Sequence, residues 1–233
     1  MRVLIIASLS CSVCLYTSIA PAAATERSVE IRYVAHVEGV PEGAEALELW
    51  IPVPQDRVHQ KITEFNVKSP FPFQITTDDR YGNKTLYLKV EGPPATFDVE
   101  MAFRAERYAD TEAFGRERDK YLVERALEGQ TLVPLAPEIR KLAESVVAGQ
   151  ETPEAKARAL YDHSLAHMTY DKSGTGWGRG DYRHACDVGR GNCTDFHSYF
   201  IALSRNVGVP AYFEIGVSLP PERGEGKTGG YHC

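Results

Sequence analysis

Gly189-Arg190-Gly191-Asn192-Cys193-Thr194-Asp195-Phe196 is the stretch whose residue types and spacing most resemble a nucleophile site. Asn192 is a good N-cap, which places Cys193 in the first turn of a helix. Phe196, Tyr199, Phe200 and Leu203 follow at helical spacing and mark the buried face of that helix. Cys193 lies three residues before Phe196, so it is expected on the inner side of the helix's positive end. Free N–H groups and the macrodipole there favour a thiolate. The N–H of Cys193 is also placed to donate to a developing oxyanion. Gly189 and Gly191 are read as leaving space for a substrate chain. The plain alternative is a small buried side chain at a helix start.

A thiolate that attacks an acyl group needs a base to take and return a proton, usually histidine. The sequence holds 7 histidines. His197 lies one turn after Cys193, but a base on the same helix leaves little room for substrate between the two. His163 and His167 are four apart on one helix face, the spacing of a metal pair. They lack the intervening Glu of the zinc-protease motif, so packing roles are expected. His184 lies in a glycine-rich loop. His232 follows a strand and a polar loop at an expected strand start, where a base from a facing sheet would enter.

The elements that must position these residues fall into two parts. Hydrophobic residues are 43% and charged residues 25%, which suits a globular chain with a substantial core. With 26 basic against 32 acidic residues the net charge is -6, which argues against nucleic acid as a partner. In the first part, Val29, Ile31, Tyr33, Ala35 and Val37 alternate with polar residues at the period of a strand. Residues 46–53, 85–90 and 97–103 read the same way, separated by turns such as Pro41-Glu42-Gly43 and Gly92-Pro93-Pro94. Residues 25–107 are therefore expected to form a small antiparallel β-sandwich. Residues 108–120 read as a linker.

Helices dominate afterwards. Pro137 opens one that ends near Gly149. Thr152 caps the next, with Pro153 at its first position. Residues 171–192 carry repeated glycines and read as a long loop. A third helix runs from Cys193 to about Asn206, and Ala211, Phe213, Ile215 and Val217 alternate as a strand.

At the other end, Arg2 precedes an apolar run over residues 3–20, then Pro21-Ala22-Ala23-Ala24. This reads as a secretory signal over residues 1–24, giving a periplasmic or extracellular protein without stable membrane insertion after cleavage. Cleavage removes Cys11 and Cys14 and leaves Cys186, Cys193 and Cys233. An odd number of thiols in an oxidising compartment flags a reactive one. The sequence does not decide whether Cys186 or Cys233 joins a disulfide.

Residues 121–233 resemble the transglutaminase-like superfamily, the papain-related cysteine acyl transferases and peptidases, in a bacterial exported form. The resemblance rests on Met168-Thr169-Tyr170-Asp171, on residues 189–197, on Leu203-Ser204-Arg205-Asn206-Val207-Gly208-Val209-Pro210-Ala211 and on Gly230-Tyr231-His232-Cys233. It implies an α+β chain with a papain-like core behind the β-sandwich. It implies Cys193 as the nucleophile and His232 as the base and then the acid. It further implies a thioester acyl-enzyme, formed from an amide-linked acyl group of a protein or peptide and hydrolysed or passed to an amine. Tyr170 and Trp177 are candidates for lining the cleft or assisting the oxyanion. The third triad member, an Asp, is expected beyond residue 233, as is the family's Trp after His-Cys. The chain as it stands is therefore expected to be a C-terminally incomplete piece, loosely held in its second half and inactive alone.

No Asp-rich calcium loop is present, and His184, Cys186, Cys193, His197, His232 and Cys233 lack the paired spacing of a zinc site, so neither cofactor nor metal is expected. The main rival from another class is a non-enzymatic binding or scaffold protein with a degenerate core. Sequencing the N-terminus of exported protein is expected to begin at Thr25, and an unprocessed Met1 on a membrane-bound product would contradict the leader.

Overall fold

The chain is described here from a computed structural model, which covers residues 26–57, 59–108, 120–219, 225–226 and 231–233. The expected signal segment and almost all of the expected linker lie outside these residues. The chain divides into two compact units, the six N-terminal strands in one and the helices in the other.

Period-two alternation builds the first unit. Its strands are β1 (Glu26–Val37), β2 (Ala46–Val53), β3 (Gln60–Lys68), β4 (Gln74–Thr77), β5 (Lys84–Glu91) and β6 (Phe97–Tyr108). They make two antiparallel sheets, ordered β1–β6–β3 and β2–β5–β4. Ile51, Val53, Leu86, Leu88 and Val90 line the inner side of one sheet, and Phe97, Val99 and Met101 that of the other, in one buried cluster. Phe71 meets Phe97 edge-on with ring centres 5.0 Å apart, a favoured aromatic geometry.

Two of these strands escape a reading by alternation. In β3 a bulge shifts the register between Thr63 and Asn66, with Glu64 at φ 53°. The apolar residues therefore fall at Ile62, Phe65 and Val67, which breaks the period of two. Strand β4 is exposed along its whole length and shows no apolar face at all.

The second unit contains α1 (Lys120–Arg125), α2 (Pro137–Val146), α3 (Pro153–His167), β7 (Thr169–Tyr170), α4 (Tyr182–Val188), β8 (Arg190–Gly191), α5 (Cys193–Asn206), β9 (Gly216–Val217) and β10 (Tyr231–His232). Thr152 caps α3 by accepting from the N–H of Ala155 at 3.1 Å. Helix α5 is the centre of the core: Tyr199, Ile201, Ala202 and Leu203 are buried with Ile139, Ala143, Leu160 and Met168. The fold is α+β, with antiparallel sheets in the first unit and a helical core in the second.

The end of α5 is held by polar side chains rather than by apolar packing. Arg205 is buried, with Nε donating to the carbonyl of Ala211 at 2.8 Å and Nη1 to that of Glu128 at 2.7 Å. Asn206 donates from Nδ2 to the carbonyls of Pro134 (3.0 Å) and Ala202 (2.8 Å) and accepts from the N–H of Ala136 at 3.2 Å. Charge-assisted bonds of the Arg205 kind contribute about 1.5–3 kcal/mol each when buried. They give a physical reason for Arg205 and Asn206 in the Arg-x-x-Gly-x-Pro-Ala stretch.

The expected loop over residues 171–192 holds a helix, α4. Asp181 caps it by accepting from the N–H of Arg183 at 2.9 Å, and Gly189 at φ 63° ends it in a left-handed turn. The expected strand over residues 211–217 shrinks to β9, where only Gly216 and Val217 pair, with His232 and Tyr231. Phe213 and Ile215 are exposed.

His163 and His167 both pack beside Tyr199. His163 Nε2 lies 3.0 Å from the Tyr199 hydroxyl, and His167 Nε2 lies 3.0 Å from the Cys186 carbonyl. His167 stacks on Tyr199 at 4.7 Å and Tyr199 on Tyr182 at 5.6 Å. Among the described residues no group of three His, Cys, Asp or Glu is placed to hold a metal ion. No helix among them is long and apolar enough to cross a membrane.

Burial first, then the neighbouring His167 charge, pushes the pKa of His163 below its ordinary 6.5. The unfolded chain then binds the proton at a higher pH than the folded one. The stability that neutral His163 supports is therefore full above 6.5 and is lost as pH falls from there toward the folded value. Urea unfolding at pH 7.5 and 5.5 is expected to show a smaller acid loss in His163→Gln than in the unaltered chain. An equal loss in both would assign the acid sensitivity to other groups.

Candidate active site at the start of helix α5

The first turn of α5 is built around one carboxylate. Asn192 caps the helix, its Oδ1 accepting from the N–H groups of Thr194 (3.0 Å) and Asp195 (3.4 Å). Asp195 reaches back, its Oδ2 accepting from the N–H of Asn192 at 2.9 Å, which completes a capping box. The same oxygen accepts from the N–H of Gly178 at 2.7 Å. Asp195 is fully buried, and its Oδ1 meets no donor among the described residues. One buried carboxylate thus ties the turn around Trp177 to the turn that carries Cys193.

Gly191 has a different use from the one its position first suggests. A Cβ there would overlap the carboxylate of Asp195. At Gly189 a Cβ would come within 3.1 Å of the His167 carbonyl. The missing side chains serve the protein's own close approach, so the space they release is already filled. Gly178, at φ 79°, lets the loop turn against Asn192, whose Nδ2 would sit 3.1 Å from a Cβ at that position.

Strands β7 and β8 bring a second element to the same place. They pair in parallel, Thr169 with Arg190 and Tyr170 with Gly191. The N–H of Thr169 donates to the Gly189 carbonyl at 2.8 Å and that of Asp171 to the Gly191 carbonyl at 3.1 Å. Asp171 closes the pair, 3.6 Å from Arg190. Hydrogen bonds from Ser173 hold the Asp171 carboxyl below its ordinary pKa, with a smaller contribution from the Arg190 charge. Tyr170 is exposed, with its ring 6.3 Å from that of Phe196. Trp177 stands at the surface, with Lys172 Nζ 5.9 Å from its ring centre.

Cys193 is half-buried, at the first position of α5. Its N–H is not used by the cap, whose side chain serves Thr194 and Asp195. Burial and then Cys193 push the Cys233 thiol up to about 12.

His232 lies on β10 opposite Gly216 and is exposed. Its charge adds to burial in pushing His197 below its ordinary pKa. His197 in turn meets Phe213 edge-on at 5.8 Å. Cys193 and His197 lie one turn apart at the start of α5, and the His232 charge reaches His197. Among the described residues no hydrogen bond joins Cys193 to His232 directly.

Cys186 has a structural setting. It packs against the core, and burial first, then the neighbouring Cys186, pushes the Tyr182 pKa up. The three described cysteines are all free. A reading from spacing overlooked Asp195, although the signal was present: an Asn followed three residues later by an acidic residue is the pattern of a capping box.

The sequence model of the family described as the transglutaminase-like superfamily matches residues 140–233. A curated protein of Haemophilus influenzae, named only as uncharacterized, is 24% identical over 225 residues, covering 83% of this chain and 61% of its own length. A solved structure from Cytophaga hutchinsonii, described as a "putative cysteine protease", superposes with a TM-score of 0.61 at 15% identity, over 81% of this chain and 66% of that one. The chain thus spans less than two thirds of either, and the structural likeness speaks to the fold.

Gly191→Ala is expected to force the Asp195 carboxylate out of its place and to lower stability by roughly 1–3 kcal/mol, the ordinary range for an overpacked site. Denaturant unfolding measures it. An unchanged midpoint would mean that Asp195 can move aside without loss.

Proposed function

We propose, from the premise that residues 140–233 form a transglutaminase-like domain, that the protein is a cysteine-dependent acyl transferase or peptidase with Cys193 as nucleophile and His232 as general base and acid. The observation that carries the reading is the position of Cys193, the first residue of a capped helix whose start is pinned by a buried carboxylate. The positive end of α5 favours negative charge on the sulfur and on an oxygen beside it.

In this reading the sulfur of Cys193 attacks the carbonyl carbon of an amide-linked acyl group in a protein or peptide. The C=O electron pair moves to oxygen, and the N–H of Cys193, which the Asn192 side chain does not engage, donates to it. His232 then protonates the leaving amine, the C–N bond breaks, and a thioester remains on Cys193. Water or a second amine, deprotonated by His232, attacks that thioester and restores the thiol. Water as acceptor makes a peptidase, and an amine makes a transglutaminase. Hydrolysis is the assignment taken here, in an exported protein. Tyr170 and Trp177 flank the nucleophile turn, one paired with Gly191 and one beside Gly178, and serve as cleft walls.

Release of amine from peptide amides by the whole protein is expected to fall by roughly 10³-fold or more in Cys193→Ala and in His232→Gln. Thermal unfolding of both variants is expected to stay near that of the unaltered chain. Turnover that survives Cys193→Ala would remove the nucleophile assignment and favour a binding protein with a degenerate core.

A further inference from the structure

We propose that the glycine loop over residues 174–180 is the specificity element of the site: Arg179, with Lys172 beside Trp177, selects an acyl chain that carries a carboxylate next to the amide attacked by Cys193. The inference rests on Cys193 being the nucleophile.

The loop is laid directly on the nucleophile turn. Every second residue, Gly174, Gly176, Gly178 and Gly180, is a glycine with positive φ, from 68° to 94°. A Cβ at Gly178 would lie 3.1 Å from Asn192 Nδ2, and one at Gly180 would lie 3.2 Å from Thr194 Cγ2. The N–H of Gly178 also donates to Asp195 at 2.7 Å. Asn192 and Thr194 are the residues on either side of Cys193, so the loop backbone rests against both neighbours of the sulfur-bearing residue. Arg179 stands between the two glycines that touch them. The residues that alternate with the glycines, Thr175, Trp177 and Arg179, are exposed.

The chain as a whole has a net charge of -6, yet the exposed side of this loop is cationic. The nearby carboxylates are already engaged. Asp171 is held by Ser173 and lies 3.6 Å from Arg190. Asp181 caps α4, and Asp195 is buried. Arg183 and Asp187 are exposed four residues apart on α4, so their charges offset each other. Arg179 and Lys172 remain, and among the described residues neither has an acidic partner. Lys172 Nζ lies 5.9 Å from the centre of the Trp177 ring, where cation–aromatic attraction keeps it beside the loop.

A guanidinium presents paired N–H groups that match the two oxygens of a carboxylate. Arg179 has no internal ion pair to give up when such a group arrives. A carboxylate bound there brings the amide next to it to the first turn of α5, where Cys193 stands. Lys172 adds a second positive charge from the other side of Trp177 and strengthens the attraction without fixing its geometry.

The test is the rate at which Cys193 of the whole protein is alkylated by iodoacetate, divided by the rate with iodoacetamide, each read by peptide mass spectrometry. Iodoacetate carries a carboxylate beside the attacked carbon and iodoacetamide is neutral, so the ratio removes the reactivity of the thiol itself. Arg179→Gln is expected to lower the ratio about fivefold, and Lys172→Gln about twofold, the range of exposed ion pairs. Arg179→Lys is expected to keep most of the ratio, and high salt to lower it in the unaltered protein. An unchanged ratio in Arg179→Gln overturns the proposal. Peptide amides with Glu or Gln beside the cleaved bond, each with a free or an amidated C terminus, identify the source of the carboxylate. Faster turnover of the Glu peptides supports a side-chain carboxylate, and faster turnover of the free-ended ones a terminal carboxylate. Equal turnover of all four overturns the proposal. The alkylation ratio needs no turnover, so its failure counts against the loop alone. A protein that shows the ratio change but whose turnover survives Cys193→Ala would instead remove the catalytic reading.

Discussion

The buried carboxylate of Asp195 is the interaction on which the site depends. A carboxylate taken out of water costs several kcal/mol unless donors replace its hydration. For Asp195 the N–H groups of Asn192 and Gly178 do this at Oδ2, in the first turn of α5, where the backbone is positive. The requirement spreads outward. Position 191 must lack a Cβ, the Gly178 turn must lie against the helix start, and β7 must pair with the strand that leads into it. Each of these constrains where Cys193 stands.

The far end of the same helix is held by the same kind of bond. Arg205 and Asn206 bind the carbonyls of Glu128, Ala211, Pro134 and Ala202, so α5 is fixed by polar contacts at both ends and by apolar packing in the middle. A helix anchored in this way holds the thiol at its first residue in a fixed place.

Much of this was legible in the sequence, and the failures have physical causes. The alternation in β1, β2, β5 and β6, the Thr152-Pro153 start of α3 and the Asn192 cap each follow from a local rule that the tertiary structure leaves intact. Strand β3 was hidden because a bulge at Glu64 breaks the period. Strand β4 was hidden because an exposed edge has no apolar face to display. Helix α4 was masked by the glycines around it, although Asp181 and Gly189 mark both of its ends. At the site, Cys193, His232, Tyr170 and Trp177 could be named from motifs and residue types. Asp195 is polar in sequence but wholly buried, and only the fold reveals that two separate turns converge on its carboxylate.

The proposed reaction requires that Cys193 become acylated. Its most direct test is to react the full chain with an activated amide or ester, quench in acid and map the adduct by mass spectrometry. One acyl group is expected on the peptide that contains Cys193, released by neutral hydroxylamine as a thioester should be. An adduct on another residue, or steady turnover with no acyl group trapped on Cys193, would contradict it.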